Sequence, residues 1–111
     1  MKKLVMRTQQ ILMTTALSLL LAFTAKAENI EVSIYKFEFV PKIVSIKKGD
    51  TIVWINKEKR QYHSVWFEQL DEEQPDYLFP GDHYEKTFDH VGEFPYRCGP
   101  HPEMTATVIV E

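Results

Sequence analysis

The sequence predicts an all-β protein that folds as an antiparallel sandwich or barrel. Two observations support this prediction. Apolar and polar residues alternate early in the chain, where Ile30, Val32 and Ile34 would share one face of a strand. Short apolar runs separated by turn-forming residues then follow, and no segment of the sequence has a sustained helical period.

Six further runs in the sequence are predicted to be strands, and β-branched and aromatic residues are common in them. They are residues 43–46, 51–55, 64–67, 84–88, 94–97 and 105–110. The residues between the runs favour turns and include Pro41, Gly49, Gly81 and Gly92. Short strands at this spacing in a small chain are typical of one β domain.

Residues 1–27 have the pattern of a cleavable signal peptide. Three basic residues precede an almost uncharged apolar stretch at 11–25, and Ala25-Lys26-Ala27 supplies an A-x-A cleavage motif. The apolar stretch is shorter than the roughly 20 residues of a membrane-spanning helix, so a retained anchor is the weaker interpretation. We expect cleavage after Ala27 and a periplasmic or otherwise exported domain at 28–111.

The predicted mature domain, residues 28–111, is small and acidic. It has 9 lysine and arginine residues against 16 aspartate and glutamate residues, a net charge of −7. This charge argues against a nucleic-acid partner and favours basic protein surfaces. Six acidic residues crowd into 68–82, which is either solvated surface or a docking patch. Three apolar residues within it are predicted to hold it to the core: Tyr77, Leu78 and Phe79.

Cys98 is the only cysteine in the sequence, so an exported domain would have no internal disulfide. It could be buried and inert, paired with another chain or bound to a metal. Cys98, His101 and Met104 form a C-x-x-H-x-x-M motif whose two prolines, Pro100 and Pro102, exclude helical geometry. The motif therefore predicts a constrained loop that presents a thiolate, an imidazole and a thioether together.

These three side chains are the ligand types that copper prefers. Two histidines, one cysteine and a weak axial methionine form a blue-copper site. A lone cysteine or methionine is more often a core residue, but this combination is hard to explain by packing. His63, which lies between two predicted strand regions, is the candidate for the missing imidazole. His83 and His90 lie in predicted turns and are assigned no role.

From about residue 35 onward the chain resembles the cupredoxins, especially the branch of amicyanin and plastocyanin, and more distantly pseudoazurin. The residues that carry the resemblance are 35–41, 48–56, His63, and 92–98 with the ligand loop. The resemblance implies a Greek-key β-sandwich with one copper ion, Cu(I) or Cu(II), near one end. It also implies that one electron passes between redox proteins, with entry and exit at His101.

The resemblance implies supporting roles as well. Asn56 would hydrogen-bond to the cysteine-bearing loop, although an ordinary strand-end asparagine is the alternative. The chain departs from the family pattern at two positions. Gly99 lacks the side chain often found after the cysteine, and Glu103 places a charge where the family has a large apolar residue. Pro100 cannot donate an N–H to the cysteine sulfur, and hydrogen bonds around that sulfur tune the reduction potential.

We therefore expect a monomeric electron carrier that forms transient complexes with a redox donor and acceptor and acts on no small-molecule substrate. The alternative is a copper storage or delivery module. Such modules are often rich in methionine, but three of the four methionines lie in residues 1–27 and would be removed with the signal peptide. An enzyme is disfavoured because Glu103 is the only carboxylate in the ligand loop and no second cysteine could bridge a binuclear copper centre.

Overall fold

The computed structural model describes residues 26–111, and β-strands dominate this part of the chain. The strands are β1 (Asn29–Tyr35), β2 (Glu38–Val40), β3 (Ile43–Ile46), β4 (Thr51–Asn56), β5 (His83–Thr87), β6 (Gly92–Arg97) and β7 (Thr105–Val110). A short 3-10 helix spans Glu68–Leu70. The prediction of an all-β fold is confirmed. Residues 1–25 of the predicted signal peptide lie outside the described residues, and within 26–111 no helix could span a membrane.

The strands form two sheets, one of four strands in the order β2-β1-β4-β5 and one of three in the order β3-β7-β6. The antiparallel arrangement predicted from the sequence holds for three of the five strand pairings. It is wrong for the other two, because β1 pairs with β4 and β3 pairs with β7 in parallel. Parallel neighbours need a crossover connection. The chain provides one between β1 and β4 by passing through β3, which belongs to the other sheet.

The core lies between the sheets and follows the alternation in the sequence. Val32 and Ile34 of β1, Ile52 and Trp54 of β4, and Val108 of β7 are each fully buried. Each such side chain contributes roughly 1.5–3 kcal/mol through burial. The Trp54 indole N–H donates to the Tyr96 hydroxyl at 3.1 Å, so the polar atoms of these buried aromatics are paired.

Two predicted features of the strand pattern need correction. Residues 64–67 form no strand, since Trp66 makes only an isolated bridge with Arg97 and the preceding His63 makes one with Leu78. Ser64 and Val65 are both buried at consecutive positions, which a strand with one solvent face does not allow. Conversely, β2 is too short for its pattern to be recognised in the sequence.

The acidic segment 68–82 is attached to the sheets differently from the prediction. Leu78 packs against the core as expected, but Tyr77 and Phe79 are 43% and 55% exposed. Two ion pairs hold the segment instead, from Glu72 to Lys86 of β5 at 2.6 Å and from Glu68 to Arg97 of β6 at 2.9 Å. A third acid, Asp82, accepts a hydrogen bond from the backbone N–H of Phe79.

The two ends of the sandwich carry different kinds of side chains. The loops after β1, β4 and β6 meet at one end, where Phe37, His63 and His101 are in ring contact. The opposite end holds the residues before β1 and β4, together with Glu111 after β7. Asp50 is buried there.

Candidate metal centre

The loop from Cys98 to Met104 is closed on itself by two backbone hydrogen bonds. The N–H of Cys98 donates to the Met104 carbonyl at 3.0 Å, and the N–H of Met104 donates to the His101 carbonyl at 2.9 Å. Cys98 follows β6 directly and Met104 directly precedes β7, which pairs antiparallel with β6. Adjacent strands therefore fix both ends of the constrained loop that the sequence predicts.

Three potential ligand atoms converge at this end of the molecule. Cys98 Sγ lies 3.6 Å from His63 Nδ1 and 3.5 Å from His101 Nδ1, and ligand atoms of all three residues lie within 4.8 Å of one another. Sulfur and nitrogen atoms that share a first-row metal ion, with bonds of roughly 2.3 and 2.0 Å, are separated by about 3.6 Å. These three side chains thus have the spacing needed to hold one ion.

Met104, the fourth predicted ligand, is 4% exposed and belongs to the core. Its backbone hydrogen bonds with Cys98 and His101 place Met104 at the base of the same loop. It lines a cleft with Phe37 and Phe39. The structure therefore brings Met104 to the closed loop as a buried residue.

Burial shapes the acid–base properties of the two innermost residues. His63 and Cys98 are both fully buried. Burial lowers the pKa of His63, with a further contribution from His101, against the opposing effect of Glu58. Burial raises the pKa of the Cys98 thiol, although hydrogen bonds from Ser64 oppose the shift. His63 is therefore held in the neutral form that binds metals, while metal binding at Cys98 must displace a proton.

Ser64 connects the two ligand-bearing segments. Its backbone N–H donates to Cys98 Sγ at 3.4 Å, and its hydroxyl oxygen accepts from the Gly99 N–H at 2.8 Å. Sequence reasoning did not identify Ser64, and the only signal would have been a hydroxyl residue directly after a candidate ligand. Two bonds from one fully buried side chain and its backbone fix the cysteine loop relative to His63.

Asn56 was expected to make that connection but makes a different one. Its Nδ2 donates to the carbonyls of Gln61 and Leu78 at 2.9 and 2.8 Å, and its Oδ1 accepts from the Glu58 N–H at 2.9 Å. These bonds brace residues 57–62, the loop that leads to His63. Its contact with the cysteine-bearing loop, implied by the resemblance, is replaced by that of Ser64.

Gly99 is required by the space around it. A Cβ atom at this position would lie 2.8 Å from Ser64 Oγ and 2.8 Å from Gln74 Nε2. The side chain missing after the cysteine is therefore excluded by Ser64 and by the acidic segment, which covers the loop here. The hydrogen-bonding hydroxyl comes from Ser64 instead.

Arg97 is a second residue that sequence reasoning missed. Its Nη1 donates to the carbonyls of Cys98 and Gly99 at 3.2 and 3.3 Å. Its Nε and Nη2 donate to Glu68 at 3.0 and 2.9 Å, and the guanidinium lies 4.5 Å from the centre of the Trp66 ring. One side chain thus holds the start of the ligand loop against the segment that follows His63.

His63 has one ring nitrogen directed away from Cys98. This atom, Nε2, is buried without a hydrogen-bond partner in the described part of the chain. Glu58 Oε2 lies 3.9 Å from it. On the other side, Phe37 packs edge-on against His63 and His101, with ring centroids 5.4 and 5.1 Å apart.

His101 lies at the edge of an exposed aromatic cluster and is itself partly exposed. Tyr62 stacks on Tyr77 with centroids 4.8 Å apart, and it lies 6.4 Å from the His101 ring. Phe79 extends this cluster. His83 and His90, assigned no role, are exposed residues outside the ligand group of His63, Cys98 and His101.

Two buried residues, His63 and Cys98, and the partly exposed His101 form a candidate mononuclear soft-metal centre at one end of the two-sheet β-sandwich, of the kind that binds copper. Residues 26–111 match the family described as copper binding proteins, plastocyanin/azurin family. The chain belongs to this family.

Individual relatives agree with this assignment. Amicyanin from Paracoccus versutus is 34% identical over 89 residues, which cover 77% of this chain and 67% of that protein. Chloroplastic plastocyanin from Tetradesmus obliquus is 33% identical over 104 residues, covering 82% and 72%. The crystal structure of Paracoccus versutus amicyanin superposes with a TM-score of 0.66 at 31% identity, covering 81% of this chain and 86% of that one. The resemblance to amicyanin and plastocyanin is thus confirmed.

Proposed function

We propose that this protein is a one-electron carrier with a mononuclear type 1 copper centre whose ligands are His63, Cys98, His101 and Met104. The observation that carries the proposal is the convergence of three ligand atoms, two of them on fully buried residues. A copper ion held there supplies a Cu(I)/Cu(II) couple and so accepts or gives one electron.

The surroundings of the ligands suit electron transfer better than chemistry on a substrate. Ser64, Arg97 and the closed loop hold Cys98 in place, and Phe37 packs against both histidine rings. A restrained shell changes little between oxidation states, and four protein ligands leave no open position for a substrate. The protein is accordingly not an enzyme.

His101 is the proposed point of electron entry and exit. It lies beside Tyr62, in a cluster with Tyr77 and Phe79 that is exposed and aromatic. A small surface of this kind suits brief complexes with a donor and an acceptor protein. We propose that the carrier is a monomer, exported after removal of residues 1–27, with its mature domain at 28–111.

Visible and electron paramagnetic resonance spectroscopy of the copper-loaded mature protein tests the proposal. We expect an intense thiolate-to-copper band near roughly 600 nm, as in the blue-copper site type. Cys98→Ser should abolish the band, and Met104→Leu should shift the spectrum while keeping the blue colour. His90→Asn is a matched control, because His90 is exposed and outside the ligand group.

Electron self-exchange and copper loss separate a carrier from a storage or delivery module. A carrier should exchange electrons rapidly and lose copper slowly to a chelator. Absence of the 600 nm band, or a band unchanged in Cys98→Ser, contradicts the proposed centre. Slow electron exchange with rapid copper loss would instead identify a storage or delivery module.

A further inference from the structure

The end of the sandwich opposite the metal centre contains a buried carboxylate held by backbone amides. Asp50 is 5% exposed. Its Oδ1 accepts from the N–H of Glu28 at 2.9 Å, and its Oδ2 accepts from the N–H of Lys47 at 2.9 Å. None of the ion pairs formed within residues 26–111 includes Asp50. These two hydrogen bonds, with a weaker contribution from the charge of Lys47, hold the pKa of Asp50 below its usual value although burial opposes the shift. The carboxylate is therefore charged and has no cationic side chain in direct contact.

The chain around Glu28 is accessible up to the residue where the sheet begins. Lys26, Ala27 and Glu28 are exposed and lie outside any strand, and β1 starts at Asn29. The carbonyl of Glu28 is already held, since it accepts from the N–H of Thr51 at 2.9 Å. A cut before Glu28 would therefore leave the whole sheet intact, with the new terminus fixed.

We propose that export processing cuts the bond between Ala27 and Glu28, and that the new α-ammonium of Glu28 forms an ion pair with Asp50. Hydrolysis by an export peptidase consumes one water and leaves a carboxylate on Ala27 and a protonated amine on Glu28. The nitrogen atom concerned lies 2.9 Å from Asp50 Oδ1. The inference rests on the proposed export of the protein and is independent of copper.

Replacement of the Glu28 amide N–H by a charged ammonium should strengthen the hydrogen bond from this nitrogen to Asp50. Glu28 is an exposed residue and its hydrogen bond to Asp50 is only partly buried, so the ammonium need not be fully dehydrated. Asp50 is already buried in the folded chain, and a charged donor makes a stronger hydrogen bond than a neutral one. Cleavage after Glu28 would remove the donor to Asp50 and the carbonyl that binds Thr51.

The pH dependence follows from the charged groups around this site. The groove beside Asp50 is lined by Lys26, Glu28, Lys47 and Glu111, of which Lys26 leaves with the signal peptide. An unpaired α-amino group has a pKa of about 7.7–8.0, and pairing with Asp50 raises it. The added stability is thus fully present below about pH 7.7 and is lost as the pH rises through the raised value.

Thermal unfolding of two metal-free chains tests the pairing. The chain 28–111 carries its ammonium at Glu28, whereas the chain 27–111 has the same net charge with the ammonium one residue earlier. We expect the melting temperature of 28–111 to be higher by roughly 4 °C at pH 6. The difference should vanish near pH 10 and in the Asp50→Asn pair of chains. Acetylation of the Glu28 amine should remove it as well, which provides the test if Asp50→Asn does not fold.

Intact-mass measurement of the protein exported from a bacterial host tests the cleavage position, with a mature chain starting at Glu28 expected. A different first residue, or equal melting temperatures for the two chains, would overturn the inference. After loading with copper, every chain should show the same 600 nm band, because Asp50 lies at the opposite end from Cys98. Loss of that band would instead concern the proposed copper function.

Discussion

At the scale of single residues, the cysteine ligand depends on neighbours that have no metal-binding chemistry of their own. Ser64 contributes a backbone N–H to Cys98 Sγ and a hydroxyl to the Gly99 N–H. Its fully buried position leaves no room for water to replace these bonds. The hydroxyl therefore matters both for the stability of the loop and for the position of the sulfur.

Ser64→Ala should destabilise the metal-free domain by about 1–3 kcal/mol, because the Gly99 N–H would lose its partner in a poorly hydrated place. Chemical denaturation measures this change. Ser45→Ala is the matched control, since Ser45 is exposed in β3 and should change stability by less than about 0.5 kcal/mol. Equal effects of the two substitutions would show that the Ser64 hydroxyl contributes nothing.

Substitutions at Arg97 and at its partner Glu68 can separate the effect of charge on the reduction potential from the effect of hydrogen-bond geometry. Reduction of a copper site removes one positive charge, so a nearby cation favours the reduced form. Arg97→Met should lower the reduction potential, and Glu68→Gln, which removes the compensating carboxylate, should raise it. Arg97→Lys keeps the charge but cannot bind both loop carbonyls and Glu68 through one planar group.

Cyclic voltammetry of the copper-loaded variants measures these potentials. We expect shifts of opposite sign for Arg97→Met and Glu68→Gln, and a smaller shift with a broadened resonance spectrum for Arg97→Lys. The effects should be modest, since Glu68 is half exposed and such pairs are worth about 1 kcal/mol or less. Shifts of the same sign would refute the electrostatic explanation.

At the scale of elements, the ligand loop is short, closed and interrupted by two prolines. Pro100 has no backbone N–H, so it cannot donate to the cysteine sulfur. The N–H of Ser64 is the donor to that sulfur from outside the loop. The thiolate consequently keeps more electron density for copper than it would if residue 100 also donated a hydrogen bond.

Pro100→Ala should raise the reduction potential by roughly 40 mV, the one-electron equivalent of about 1 kcal/mol, if the new N–H reaches the sulfur. Such a donor stabilises the thiolate and weakens its donation to the oxidised metal. Pro102→Ala serves as a control, because Pro102 follows His101 and is exposed. An unchanged or lowered potential in fully metallated Pro100→Ala would count against this explanation.

The partners of the acidic segment 68–82 could not be predicted from the sequence. Its acidity is visible in the sequence, but its partners are residues of β5 and β6: Lys86 with Glu72, and Arg97 with Glu68. No short-range pattern encodes such long-range pairs. Two of its six acids are thus neutralised, which reduces its capacity to act as a docking patch for basic partners.

At the scale of the whole molecule, the sequence predicts the parts that depend on periodicity and on ligand chemistry. Cys98, His101 and Met104 could be grouped because their loop is local, and alternation identified the buried face of β1. The parallel pairing of β1 with β4 could not be predicted, since it arises from a crossover between sheets. The approach of His63 to Cys98 is likewise tertiary, because their sequence separation is 35.

The metal should couple these distant parts of the chain. His63 precedes the acidic segment and Cys98 follows β6, so one ion binding both would link parts of the molecule that separate on unfolding. A ligand that binds only the folded state at a thousand times its dissociation constant adds about 4 kcal/mol of stability. In a domain of this size that corresponds to an increase in melting temperature of at least about 15 °C.

Removal of copper with a reductant and a chelator should therefore lower the melting temperature by at least about 15 °C, as measured by differential scanning calorimetry. In Cys98→Ser, which lacks the thiolate, the addition of copper should change the melting temperature far less. Because the fold has its own core between the sheets, the metal-free domain should still unfold cooperatively. A loss of cooperative unfolding would show that the core in residues 26–111 is insufficient without metal, and an unchanged melting temperature would show that copper does not bridge the two ligand-bearing segments.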